Sequence, residues 1–144
     1  MGTQENKEVV RRLHDELNRK NFAALDGLIA PTFVHRNPAD PSMAKGPAGM
    51  RSLYEKWLAA FPDGEQRVED QIAEGDKVVT RLRGRATFLG ECLGIPPNGK
   101  VVEITGISIH RIADGKLVEH WANADLLSLM QQLGAIPTPE PVTG

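Results

Sequence analysis

Near residue 64 the apolar side chains switch from the 3.6-residue spacing of a helix to the two-residue spacing of a strand. No other feature of the chain restricts its fold as much. Before the switch, Val9, Val10, Leu13 and Leu17 predict a first helix, capped by Thr3 or Asn6 and closed by Asn18-Arg19-Lys20-Asn21. Phe22, Leu25, Leu28 and Ile29 predict a short second helix that Pro31 stops. Phe33-Val34-His35 reads as a brief extended segment, and Asn37-Pro38-Ala39-Asp40-Pro41 as a loop. A third helix follows Gly46-Pro47 with Met50, Leu53, Tyr54, Trp57, Leu58 and Phe61, ending at Pro62-Asp63-Gly64.

After the switch, Gln66 to Ala73, Lys77 to Phe88, Val101 to Ile112 and Leu117 to Asn123 read as four strands. Glu74-Gly75-Asp76 and Asp114-Gly115 supply hairpin turns between them. A last helix holds Leu126, Leu127, Leu129, Met130 and Leu133, with Gly134 closing it. Helices first and an antiparallel meander second give an α+β class rather than βαβ. Residues 1–136 are expected to form one domain and 137–144 a disordered tail. A chain of 144 residues buries enough surface to need no metal or disulfide staple.

Composition narrows the function. A net charge of −2 lacks the basic excess that phosphate neutralisation requires, so no nucleic-acid partner is expected. Cys92 is the single cysteine, which excludes an internal disulfide and a multi-cysteine metal site. No two of the four histidines have chelating spacing, so no metal is expected. No apolar run approaches a membrane span and residues 1–7 have no apolar stretch, so the expectation is a cytoplasmic protein without a membrane partner.

Several segments in order carry a resemblance: Phe33-Val34-His35 with Asn37-Pro38, Glu74-Gly75-Asp76-Lys77-Val78-Val79, Gly90-Glu91 and Gly94-Ile95-Pro96-Pro97-Asn98-Gly99-Lys100. Arg111-Ile112, Asp114-Gly115-Lys116, Glu119-His120-Trp121, Asp125 and Gln132-Leu133-Gly134 continue it. The chain resembles the SnoaL-like polyketide cyclase or ester cyclase family, within the superfamily of nuclear transport factor two and ketosteroid isomerase. The resemblance implies a curved antiparallel sheet wrapped around helices to form a cone with an internal pocket, a cystatin-like fold. It also implies acid/base catalysis by Asp125 in an intramolecular aldol closure, on a small hydrophobic carbonyl compound and without a cofactor. Where relatives often carry Gly-Thr-His in the long strand, this chain has Ala86-Thr87-Phe88. His110 stands where an aromatic commonly precedes the family's arginine.

The residues themselves leave alternatives open. Asp125, between Trp121 and Leu126-Leu127, is a candidate for a partly desolvated carboxylate of raised pKa, and equally for the N-cap of the last helix. Unbroken alternation puts Glu119, Trp121, Asn123 and Asp125 on one face, with Trp121 as a pocket wall and His120 outside. His35 is a candidate carbonyl-polarising group at the pocket rim. Tyr54, Trp57, Phe61 and Phe88 are candidate substrate-binding walls, and Arg81 a candidate orienter. His110 is a candidate contact whose neighbours Ser108 and Gly106 also suit an exposed position or a dimer interface. His14 reads as structural. Two other functions stay open: a ligand-binding protein with no chemistry, and an epoxide hydrolase or isomerase drawing on Arg81, Asp125 and Asp70. A homodimer through the outer sheet face is expected.

Overall fold

In the computed structural model, which describes residues 2–38, 42–137 and 139, five strands form one sheet in the order β1-β5-β4-β3-β2. The strands are β1 (Ile29–His35), β2 (Glu65–Glu74), β3 (Lys77–Thr87), β4 (Val101–Ala113) and β5 (Lys116–Ala124). The helices are α1 (Thr3–Asn18), α2 (Leu25–Leu28), α3 (Gly46–Ala60) and α4 (Leu126–Gln132), with a 3-10 turn at Phe22–Ala24. The α+β order read from the periodicity is therefore the order of the fold. The expected tail from 137, and Ala39 to Pro41 of the expected loop, fall mostly or wholly outside the described residues.

The hairpin turns form as their residues dictate. Asp114 and Gly115 both take positive φ, 51° and 75°, the pairing of a type I′ turn whose twist matches the flanking strands. β2 to β5 are antiparallel neighbours, but β1 joins the far edge parallel to β5. The sheet is thus mixed, not wholly antiparallel, because α3 lies between β1 and β2 and the chain crosses the sheet there.

Three local expectations need correction. Gly2 precedes the first helical residue and no side chain caps α1, while Asn6 is buried. The second helix is a 3-10 turn followed by one α turn. Ile29 already belongs to β1, and Pro31 sits in that edge strand, where its missing N–H costs no ladder bond.

The core has two parts. One gathers Val10, Leu13 and Leu17 of α1 with Leu25, Leu28, Ile29, Phe33, Met50, Val78, Ile112 and Leu117. The other gathers Ala60, Phe61, Phe88, Cys92 and Val102 with Leu129 and Leu133 of α4. Each fully buried Leu, Val or Phe contributes about 1.5–3 kcal/mol, so both ends of the inner sheet face are firmly covered.

Candidate functional site

Strand register places the inner side chains in rows. The first runs Ala73, Val78, His110, His120, His35 across all five strands. The next runs Gln71, Thr80, Ser108, Ala122. Then come Val68, Leu82, Gly106, Ala124, and after them Gln66, Gly84, Ile104. A side-chain carbon added at Gly84 or Gly106 would come within 3.2 Å of Ile104 or of the Asn123 carbonyl on the neighbouring strand, so both positions favour glycine.

The first row sets His110 against His120 with ring centroids 4.2 Å apart and planes at 10°, and His35 against His120 at 4.3 Å. Phe33 closes the end at 6.2 Å from His120. His14 of α1 reaches the same interior, so all four histidines of the chain converge. Burial keeps them neutral. It lowers the His14 pKa to about 4, which the hydrogen bond that His14 donates to Gln66 and the charge of Asp15 partly oppose. Burial, and after it the like charges of His35 and His14, lower His120 to about 3. His110 is driven well below the usual range by burial and then by the other three rings. His35 is lowered by burial alone.

Gln66 of β2 ties the inner face to side chains of α1 and α3. Its backbone is held by Asn18, whose side chain donates to the Gln66 carbonyl at 2.7 Å and accepts from its N–H at 2.9 Å. The Gln66 Oε1 accepts from the Tyr54 hydroxyl at 2.6 Å and lies 3.0 Å from His14 Nδ1. Burial raises the Tyr54 pKa, which keeps that hydroxyl protonated and donating. In the second row, Gln71 Nε2 donates to the Lys7 carbonyl and to Thr80 Oγ1, at 3.2 and 3.3 Å. Buried polar atoms left without a protein partner include His14 Nε2, Gln71 Oε1, Ser108 Oγ, both His110 nitrogens and Nδ1 of His35 and His120. Orphaned buried polar atoms are costly, and a bound molecule or water would relieve them.

Tyr54 packs against the first core cluster, and Trp57, Phe61 and Phe88 belong with the second. Trp57 and Phe61 stack at 5.9 Å and Phe61 meets Phe88 at 5.6 Å. Asp125 does not show the expected desolvation. It is exposed, and its Oδ1 accepts from the Ser128 N–H at 3.0 Å as the N-cap of α4. Arg81 is exposed on the outer face, beside Asp70 on the neighbouring strand. An outer depression of about 310 Å³ holds Arg81, Ile107, Asn123 and Asp125. The epoxide-hydrolase set therefore lies on open surface, without the enclosure that activates water. A second depression of about 300 Å³ lies at the hairpin rim beside Asn6, Asp76 and Asp114. Neither depression includes a histidine.

Trp121 and His120 exchange the faces expected of them. Ile112 pairs with Leu117 but Arg111 pairs with Glu119, so Val118 is an extra residue, a β-bulge that shifts the alternation by one. Glu119 is thereby turned outward to bond Arg36 and Arg111, and Trp121 lies under the Lys77 ammonium, 5.7 Å from its ring centre. His110 is fully buried, not an exposed or interface residue. Sequence reasoning read His14 as structural, though able to face the pocket from the first helix, and missed Gln66, Gln71, Thr80 and Ser108 as interior groups. The alternation Thr80 with Val78, and Ser108 with Ile112, was the available signal, obscured because β4 carries isoleucines on both faces. Among the described residues, no group of three or more His, Cys, Asp or Glu is disposed to hold a metal ion, and no helix is long and apolar enough to cross a membrane.

A sequence model of SnoaL-like polyketide cyclases matches residues 7–133. Similar solved structures include TsrD from Streptomyces laurentii, at 30% identity and a TM-score of 0.85, covering 94% of this chain and 99% of that one. IdmH, a candidate polyketide cyclase from Streptomyces antibioticus, is 31% identical with a TM-score of 0.79, covering 90% and 98%. AclR, a candidate hydroxylase from Streptomyces galilaeus, is 30% identical with a TM-score of 0.83, covering 96% and 87%. No curated protein matches the chain.

Proposed function

Since the chain belongs to the SnoaL-like polyketide cyclase family, we propose that it moves protons on a small hydrophobic carbonyl compound held against its inner sheet face, closing a ring by an aldol-type step. The observation that carries this reading is the row of neutral histidines on the inner face, beside buried polar atoms that have no protein partner. A neutral imidazole can accept a proton at one nitrogen and donate a hydrogen bond from the other, which is what enolisation beside a carbonyl requires.

His35 is the base in this reading. Burial alone lowers it, without the like charges that further lower His110 and His120, and it stands on the edge strand β1 at the end of the row. His110 and His120 serve as N–H donors to the developing enolate oxygen, and Trp57, Phe61 and Phe88 fold the chain of the substrate so that its reacting carbons meet. Asp125 is left to cap α4, with one carboxylate oxygen already engaged.

The test is turnover of aromatic β-polyketone methyl esters, with ring closure followed by chromatography and mass spectrometry. His35→Gln is expected to lower the rate about 100-fold or more, and Asp125→Asn, which keeps the cap, by no more than a few fold. The reverse pattern would return the base role to Asp125. Binding of the esters with no acceleration by the wild-type protein would favour the carrier reading instead.

A further inference from the structure

The tautomer of His14 is fixed by its surroundings. Gln66 Oε1 can only accept, so the His14 nitrogen beside it, Nδ1, carries the proton. Burial holds the ring neutral at physiological pH, so Nε2 is a bare lone pair. That atom is buried and has no protein partner. Gln71 Oε1 is in the same condition, since the amide's nitrogen is committed to Lys7 and Thr80. Every orphan whose role is fixed here is an acceptor; the remaining ones, on Ser108, His35, His110 and His120, can serve either way. The inner rows also carry no lysine or arginine.

We propose that His14 is a specificity-determining residue whose Nε2 receives a ligand hydroxyl, and that the interior selects neutral enols or phenols over their O-methyl ethers and over carboxylates. Gln66 is the positioning residue, because it sets which His14 nitrogen is bare. Asn18 and Tyr54 hold Gln66 in place from either side. An ether leaves the buried acceptor unmatched, and a carboxylate brings only acceptors and a charge with no counter-charge to meet it. The inference rests on the inner face being the ligand site.

The experiment uses the whole chain with ¹⁵N-labelled histidine and three probes: 2-naphthol, 2-methoxynaphthalene and 2-naphthoate. Long-range ¹H–¹⁵N spectra are expected to show His14 as the Nδ1–H tautomer. Its Nε2 signal is expected to move on addition of 2-naphthol and not with the ether. Calorimetry should show 2-naphthol bound about tenfold or more tighter than either of the others. Gln66→Met is expected to release His14 to the Nε2–H tautomer and bring naphthol and ether within about twofold. Should that variant not fold, the wild-type spectra and affinities decide alone. Equal binding of naphthol and ether, with other histidine signals moving and His14 still, overturns the His14 assignment and leaves the inner-face site standing. No binding of any probe and no moved histidine signal overturns both.

Discussion

Four rings in one interior cannot share it as cations, and the consequence is a definite dependence of stability on pH. The His14 pKa falls from 6.5 to about 4 and that of His120 from 6.5 to about 3, with His35 and His110 shifted the same way. The unfolded chain therefore binds more protons than the folded one once the pH drops below about 6.5, and stability declines as the pH falls from there toward 4. For His14 the full effect is on the order of 3 kcal/mol. Coupling among the rings makes the four non-additive. Urea unfolding is expected to show several kcal/mol lost between pH 7 and pH 4.5. Unfolded carboxylates stay almost fully ionised down to about pH 5.5, so the loss between pH 7 and about pH 5.5 reports the histidines. A flat profile across it would mean that the rings are solvated and not packed as described.

At the scale of elements, Val118 decides which side chains face the ligand. The bulge absorbs one residue, so everything after it keeps a facing that simple alternation assigns to the opposite side. Removing Val118 would join Leu117 directly to Glu119 and leave His120 facing inward. Deletion of Val118 is therefore expected to give a folded protein, losing at most a few kcal/mol of local twist and packing. Deletion of Ile109, in a part of β4 with unbroken register, would instead turn one half of a central strand inside out. No folded product is expected from it. Circular dichroism melts of the two variants make the comparison, and an unfolded Val118 deletion would show that the bulge is required for more than facing.

For the whole molecule, the outer face raises the question of assembly. Ile72, Val79, Ile109 and Trp121 form one row across β2, β3, β4 and β5. Ile72 and the nearby Ile107 are 65% and 52% exposed. Charged residues border the row, with Lys77, Arg111 and Glu119 on one side and Asp70 and Arg81 on the other. An apolar strip framed by both signs of charge suits a two-fold contact between like sheets. Light scattering at micromolar concentration is expected to give the mass of a dimer, and Ile107→Glu that of a monomer. A wild-type monomer would remove the outer face from consideration as an interface.

Local chemistry was enough to read the order of helices and strands, the Asp114-Gly115 turn, the aromatic side of α3 and the family. Each depends on spacing over a few residues or on short motifs, and these survive whatever the rest of the chain does. The facing of His120 and Trp121 was not legible, because a bulge leaves no residue signature and one extra residue inverts all that follows. The parallel attachment of β1, and with it the meeting of His35 with His120 and His110, follows from where a crossing chain can find an open strand edge. The desolvation that makes four scattered histidines neutral is a property of the assembled interior. Only the tertiary structure could decide it, because burial depends on neighbours far away in sequence.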